Sequence, residues 1–93
     1  MPIGLLTLEI HIPDAHSLKD KRQVLRSLKD RLRHRYNVAV AELDHQETWQ
    51  DSVIGVVTLS GNAGHVEQLL RAIFAESERL LGRDLVSHEM EVI

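Results

Sequence analysis

From Ser17 to Arg35 the chain reads SLKDKRQVLRSLKDRLRHR, and the spacing of its apolar residues admits only one secondary structure. Leu18, Leu25, Leu28 and Leu32 recur at intervals of seven, three and four, which places them on one stripe of an α-helix, and Val24 widens that stripe. Ser17 followed by Asp20 fits a capping box, in which hydroxyl and carboxylate satisfy backbone donors left open at the helix start. A helix with one apolar stripe must lay it on another element, so the rest of the chain has to supply a surface.

A second stripe runs beside the first. Lys19, Arg22, Arg26, Lys29 and Arg33 fall within an arc of about 80° at 3.6 residues per turn. Arg31 and Arg35 lie on the opposite flank, and Lys21 falls near the apolar arc, from which its long stem must carry the charge outward. Residues 17–35 hold eight of the eleven Lys and Arg and only two acids, a balance of +6, while the remainder carries −9. The near-neutral total of −3 therefore conceals a strongly polarised molecule. Helix stability does not account for the pattern, because cations in the first turn cost about 0.3–1 kcal/mol each when exposed. Asp30 is the one acid that can reach Arg26 and Arg33. The stripe is either a contact surface for a polyanion, or a solvated face, or a set of partners for acids elsewhere in the fold.

The other segments alternate or repeat in ways that define the surface for this helix. Ile3 to Ile12 sets Leu6, Leu8, Ile10 and Ile12 against Ile3, Leu5, Thr7, Glu9 and His11, a strand with one apolar and one mixed face, ended by Pro13. Asn37 to Leu43 is a Val-rich second strand, Asp44 to Asp51 a polar hairpin loop holding the sole Trp, and Ser52 to Ser60 the most β-prone segment. Gly55 within that segment marks a bulge or a close backbone approach. After Gly61 and Asn62, a second helix presents Val66, Leu69, Leu70, Ile73, Ser77, Leu80 and Leu81 on one face and ends at Gly82. Asp84 to Val92 is the last strand, with Val86, Met90 and Val92 on one side and Ser87, Glu89 and Glu91 on the other.

The order strand, helix, strand, strand, helix, strand predicts a ferredoxin-like α+β sandwich. Its antiparallel four-stranded sheet has order 4-1-3-2, with both helices on one face. Ninety-three residues make one domain, 1–93. The absence of Cys excludes disulfides, thiolate nucleophiles and Cys-ligated zinc. The N-terminal MPIGLLTLEIHI has no basic n-region and meets Glu9 early, which argues against a signal peptide or membrane span and for a cytoplasmic protein.

No enzyme signature appears, and no catalytic residue or cofactor is expected. Glu9 and His11 share a strand face within reach of Glu89 or Glu91 on a neighbouring strand, but there is no HExxH or comparable cluster, so no metal site is expected and cross-strand polar pairs account for these residues. Gly61, Asn62 and Gly64 have no Walker pattern around them and read as a turn with an N-cap. Trp49 is a candidate partner anchor or a cap on the core edge. The third strand, SVIGVVTLS, lacks the basic and aromatic signature of sheets that stack RNA bases. RNA, if bound, is then held at its phosphates by Lys19, Arg22, Arg26, Lys29 and Arg33, with little sequence reading. The sheet face without helices carries Ile3, Leu5 and several carboxylates and is suited to a homodimer contact. An adaptor for an acidic protein partner, or a small-ligand site on that face, are the readings from other classes.

The segments HSLKDKR at His16 to Arg22, NVAVAELDHQETWQ at Asn37 to Gln50 and the strand around Gly55 resemble the YlxP-like family of small bacterial proteins, a domain of unknown function. The resemblance spans essentially the whole chain. It implies a ferredoxin-like fold and no established activity or catalytic residues. Its genes often lie among those for translation initiation and ribosome maturation, which implies an RNA or ribosome contact by association only.

Overall fold

Alternation builds the sheet, and a 3.6-residue period builds the helices that cover one side of it. The computed structural model describes residues 1–93. Its strands are β1 (Ile3–His11), β2 (Ala39–Asp44), β3 (Asp51–Leu59) and β4 (Leu85–Val92); its helices are α1 (Leu18–Arg35) and α2 (Ala63–Leu81), with a 3-10 turn at Gly82–Asp84 before β4. The sheet is antiparallel throughout, with order β2-β3-β1-β4. This is the expected ferredoxin-like βαββαβ arrangement.

β1 lies at the centre because every second residue can be buried beneath both helices. Leu6, Leu8 and Ile10 are buried, paired across to Val56, Ile54 and Ser52 of β3. Leu25, Leu28 and Leu32 of α1 and Val66, Leu70 and Ile73 of α2 close over them to form one apolar core. Gly4 continues the inward row. A Cβ there would lie 2.5 Å from Val66 Cγ1 and 3.0 Å from Leu70 Cδ1, so α2 rests directly on the β1 backbone at that point.

Two expectations need correcting, at Val86 and Leu80, and the alternative left open at Gly55 is decided. Val86 does not share a side with Met90 and Val92: the β1–β4 register shifts between Glu9 and Ile10, so Leu85 turns to the core and Val86 swings out, 62 % exposed. His88, paired with Leu8, stacks on Phe74 of α2 at 3.9 Å between ring centroids while staying exposed. Leu80 is exposed, and Glu76 is the buried member of the α2 face. At Gly55 the β1–β3 register is unbroken, so its role is close approach. A Cβ would come within 2.7 Å of Leu43 Cδ1, and the bulge in β2 lies between Glu42 and Asp44. Strand ends also move by one or two residues, with β2 starting at Ala39 rather than Asn37 and Asp84 belonging to the 3-10 turn.

Candidate functional site: a cationic groove beside an edge strand

The geometry of α1 is set at its first turn. Ser17 Oγ accepts the Asp20 N–H at 3.1 Å, while the Asp20 carboxylate accepts from the His16 N–H at 3.0 Å, one residue further back than in the usual capping box. Lys21 does not reach out of the apolar arc. It is 1 % exposed, and Nζ donates to Glu42 Oε2 at 3.1 Å, His45 O at 2.7 Å and Asp51 O at 3.1 Å. All three ammonium protons are thereby used. Ser52 Oγ donates to the same Glu42 oxygen at 2.6 Å. Thr48 Oγ1 approaches the same two carbonyls at 2.9 and 3.1 Å, which holds His45 at a φ of 62°. One buried cation thus fastens the start of α1 to the β2–β3 loop.

The flank of α1 that faces α2 is consumed in a different way. Glu76 is 2 % exposed. Its carboxylate accepts from Arg31 Nε at 2.8 Å, from Arg35 Nη1 at 3.1 Å and from Arg79 Nη2. The bonds from Arg31 and Arg79 outweigh desolvation and lower the Glu76 pKa from the usual 4.5 to about 2. The same bond raises that of Arg31. Arg31 and Arg35 are structural cations, as the intramolecular reading of the charge run anticipated.

The remaining flank borders β2, which has a neighbour on one side only. Arg22, Arg26, Lys29 and Arg33 line a groove of about 410 Å³ between α1 and this edge strand, with Leu25, Asp30 and Glu42 completing its walls. Arg22, Arg26 and Lys29 take part in none of the ion pairs, and Asp30 pairs with neither Arg26 nor Arg33. Arg33 spends one donor on the Val40 carbonyl, Nη2 to O at 2.8 Å, which keeps its guanidinium at the strand edge. Glu42, the second acid in the groove, is already held by Lys21. Lys19 is exposed on the same flank but does not line the groove. From Arg22 to Arg33 the row is about 16 Å long at 1.5 Å per residue. The groove therefore gathers four of the five expected phosphate-binding cations into one concave, positive strip.

The sequence profile described as "Protein of unknown function (DUF503)" matches residues 3–90. The chain belongs to this family. It is 34 % identical over 87 residues to the "Uncharacterized protein YlxP" of Bacillus subtilis (strain 168), covering 87 % of this chain and 95 % of that protein. Among solved structures, this DUF503 chain is similar to Rv0793 from Mycobacterium tuberculosis, with a TM-score of 0.59, 13 % identity and coverage of 100 % and 93 %. It is also similar to the de novo designed protein Foldit4, with a TM-score of 0.57, 11 % identity and coverage of 99 % and 94 %. A mutant of SnoaB, a cofactor-independent oxygenase from Streptomyces nogalater, gives a TM-score of 0.55 at 9 % identity, covering 99 % and 90 %. At these identities the likeness shows the fold alone.

Elsewhere in the DUF503 domain the other candidate residues are placed apart from the groove. Trp49 is 57 % exposed in the β2–β3 loop, beside Ala15 and His16, and does not cap the core. Gln50 Nε2 ties that loop to Pro13 O at 3.1 Å and Ala15 O at 3.3 Å. His11 Nδ1 meets Asp51 Oδ1 at 2.8 Å across the sheet, and Glu9 accepts from Ser87 Oγ at 2.9 Å rather than facing Glu89 or Glu91. No group of three or more His, Asp or Glu side chains is arranged to hold a metal ion. Asn62 Oδ1 accepts the His65 N–H at 3.0 Å, an ordinary N-cap. No helix is long and apolar enough to cross a membrane.

Lys21 and Glu76 were the residues that periodicity undervalued. The signal was present in both, since each is a charged residue at a position its helix reserves for the core, and a buried charge requires a partner.

Proposed function

We propose that this protein is a non-enzymatic RNA-binding protein that docks on the phosphates of structured RNA through Arg22, Arg26, Lys29 and Arg33. The observation that carries the reading is the division of labour on α1: Lys21, Arg31 and Arg35 have buried or partly buried acidic partners, whereas the groove cations are left without one. A row of unpaired cations in a concave strip focuses positive potential where a phosphate backbone can follow it. Neither Tyr36, Trp49 nor Phe74 lines the groove, so base stacking has no role and sequence preference is weak. A contact with ribosomal RNA, during ribosome maturation or translation, fits the genomic company of the family.

The test is a binding titration with a structured RNA. Arg22, Arg26 and Lys29 are changed together to Glu, which leaves Arg33 on Val40 and every buried ion pair intact. Binding should fall by tenfold or more, roughly, while the circular dichroism stays that of the parent. The control changes Arg71 and Arg83, exposed cations away from the groove, to Glu. Equal losses in both variants would remove the groove as the site.

A further inference from the structure

The sheet face opposite the helices is the largest feature that the groove does not use. Leu43, Val57 and Leu59 stand out from it at 55, 39 and 59 % exposure, Leu43 from the β2 bulge and the other two from β3. Beside them is a hollow of about 150 Å³ lined by Leu5, Ala39, Ala41, Leu43, Gly55 and Val57. The polar residues of the face are concentrated on β4, where Ser87, Glu89 and Glu91 follow the register of Glu9, Thr7 and Leu5. None of the outward residues of the four strands is Lys or Arg.

We infer that this face is the contact between two copies of the chain, related by a two-fold axis parallel to the strands. Nucleic acid is a poor occupant, since the face carries acids and no fixed cation. The size fits a second copy. Strands of nine, six, nine and eight residues, at about 3.3 Å a residue and about 4.8 Å between strands, give about 500 Å² a side and about 1,000 Å² for the pair, the size at which a specific interface begins. Met1 and Ile93, 89 and 72 % exposed at the end of β1, extend the apolar margin.

Charge selects the axis. An axis across the strands would set β4 against β4 and bring Glu89 and Glu91 of both copies together, whereas an axis along them sets β4 of one copy over β2 of the other. In the second arrangement Val57 of one copy lies over Leu5 of the other, and Leu59 over Ile3, because these are the register pairs of β3 and β1. Glu89 and Glu91 then approach the β2 edge of the second copy, where Arg33 is held on Val40. The two sheets stack about 10 Å apart with their strands within about 30° of each other.

Sedimentation equilibrium of the full chain should return twice the 10.6 kDa chain mass. Val57→Asp should return the single mass with unchanged circular dichroism. Leu59→Lys, at a still more exposed position, is the second variant should the first fail to fold. Glu89→Lys with Glu91→Lys should weaken the dimer, and more so at low salt. A wild-type chain that sediments as a monomer, or a dimer that survives both Val57→Asp and Leu59→Lys, overturns the interface. A dimer left unchanged by the lysine pair overturns the axis, because Lys facing Lys across a β4–β4 contact repels as Glu facing Glu does.

Discussion

Lys21→Met is the substitution whose cost the structure specifies most closely. Methionine keeps most of the apolar stem within the core while removing three donors from Glu42, His45 O and Asp51 O. Loss of a charge-assisted bond costs about 1.5–3 kcal/mol and each orphaned carbonyl about 1 kcal/mol or more. The sum of about 3–5 kcal/mol agrees with the usual penalty for removing one member of a buried pair. Thr48 and Ser52 retain bonds to the same acceptors, which places the expected loss near the lower bound, about 3 kcal/mol. That is a large share of the roughly 5–14 kcal/mol available to a chain of this length. Urea unfolding should show the midpoint falling by about 1–3 M with little change in slope. Glu42→Leu added to Lys21→Met removes the stranded carboxylate and should recover part of the loss, a coupling that a double-mutant cycle reads directly. A single-variant loss below about 1 kcal/mol, or strictly additive losses in the double variant, would refute the claim that Lys21 is a buried fastening.

Two further outcomes follow from close approach and from titration. Gly4→Ala should destabilise by about 1–3 kcal/mol, since its Cβ meets the fully buried Val66, whereas Gly55→Ala should cost less because Leu43 is half exposed and can swing aside; thermal unfolding of the two variants checks the order. The Glu76 pKa is lower folded than unfolded, so its pairing stabilises the fold fully above about 4.5 and is lost as pH falls toward about 2. Glu76→Gln should therefore be the less stable protein at neutral pH and show a flatter decline through that acid window; a decline as steep as the parent's would assign the acid sensitivity to other groups.

Much of the fold is legible because its signals are local. Period-2 alternation in β1 and the 3.6-residue stripe on α1 each name their buried face, and the strand order follows from handed crossovers alone. Val86 and Leu80 escape the same reasoning. A bulge shifts the parity of β4 by a residue that pairs with nothing, and bulges arise from pairing across strands that no single segment encodes. Leu80 yields its place because Glu76, one turn earlier, is anchored by Arg31 and Arg35 from the other helix. For the site, periodicity located all five cations on one flank, but it could not separate free charge from paired charge. That separation depends on where α2 and the β2–β3 loop come to rest, and it is what leaves Arg22, Arg26 and Lys29 available while Arg31 and Arg35 are taken.

The salt dependence of RNA affinity tests the proposed phosphate contacts of the groove without any substitution. Four contacts at about −0.7 each on a single strand, or about −0.9 each on a duplex, give a slope of about −2.8 to −3.6 in log K against log salt. Raising salt from about 50 to about 200 mM should then weaken binding about 50- to 150-fold. A slope near zero, or no measurable RNA binding at low salt, would contradict the assignment of this cationic groove to the phosphate backbone.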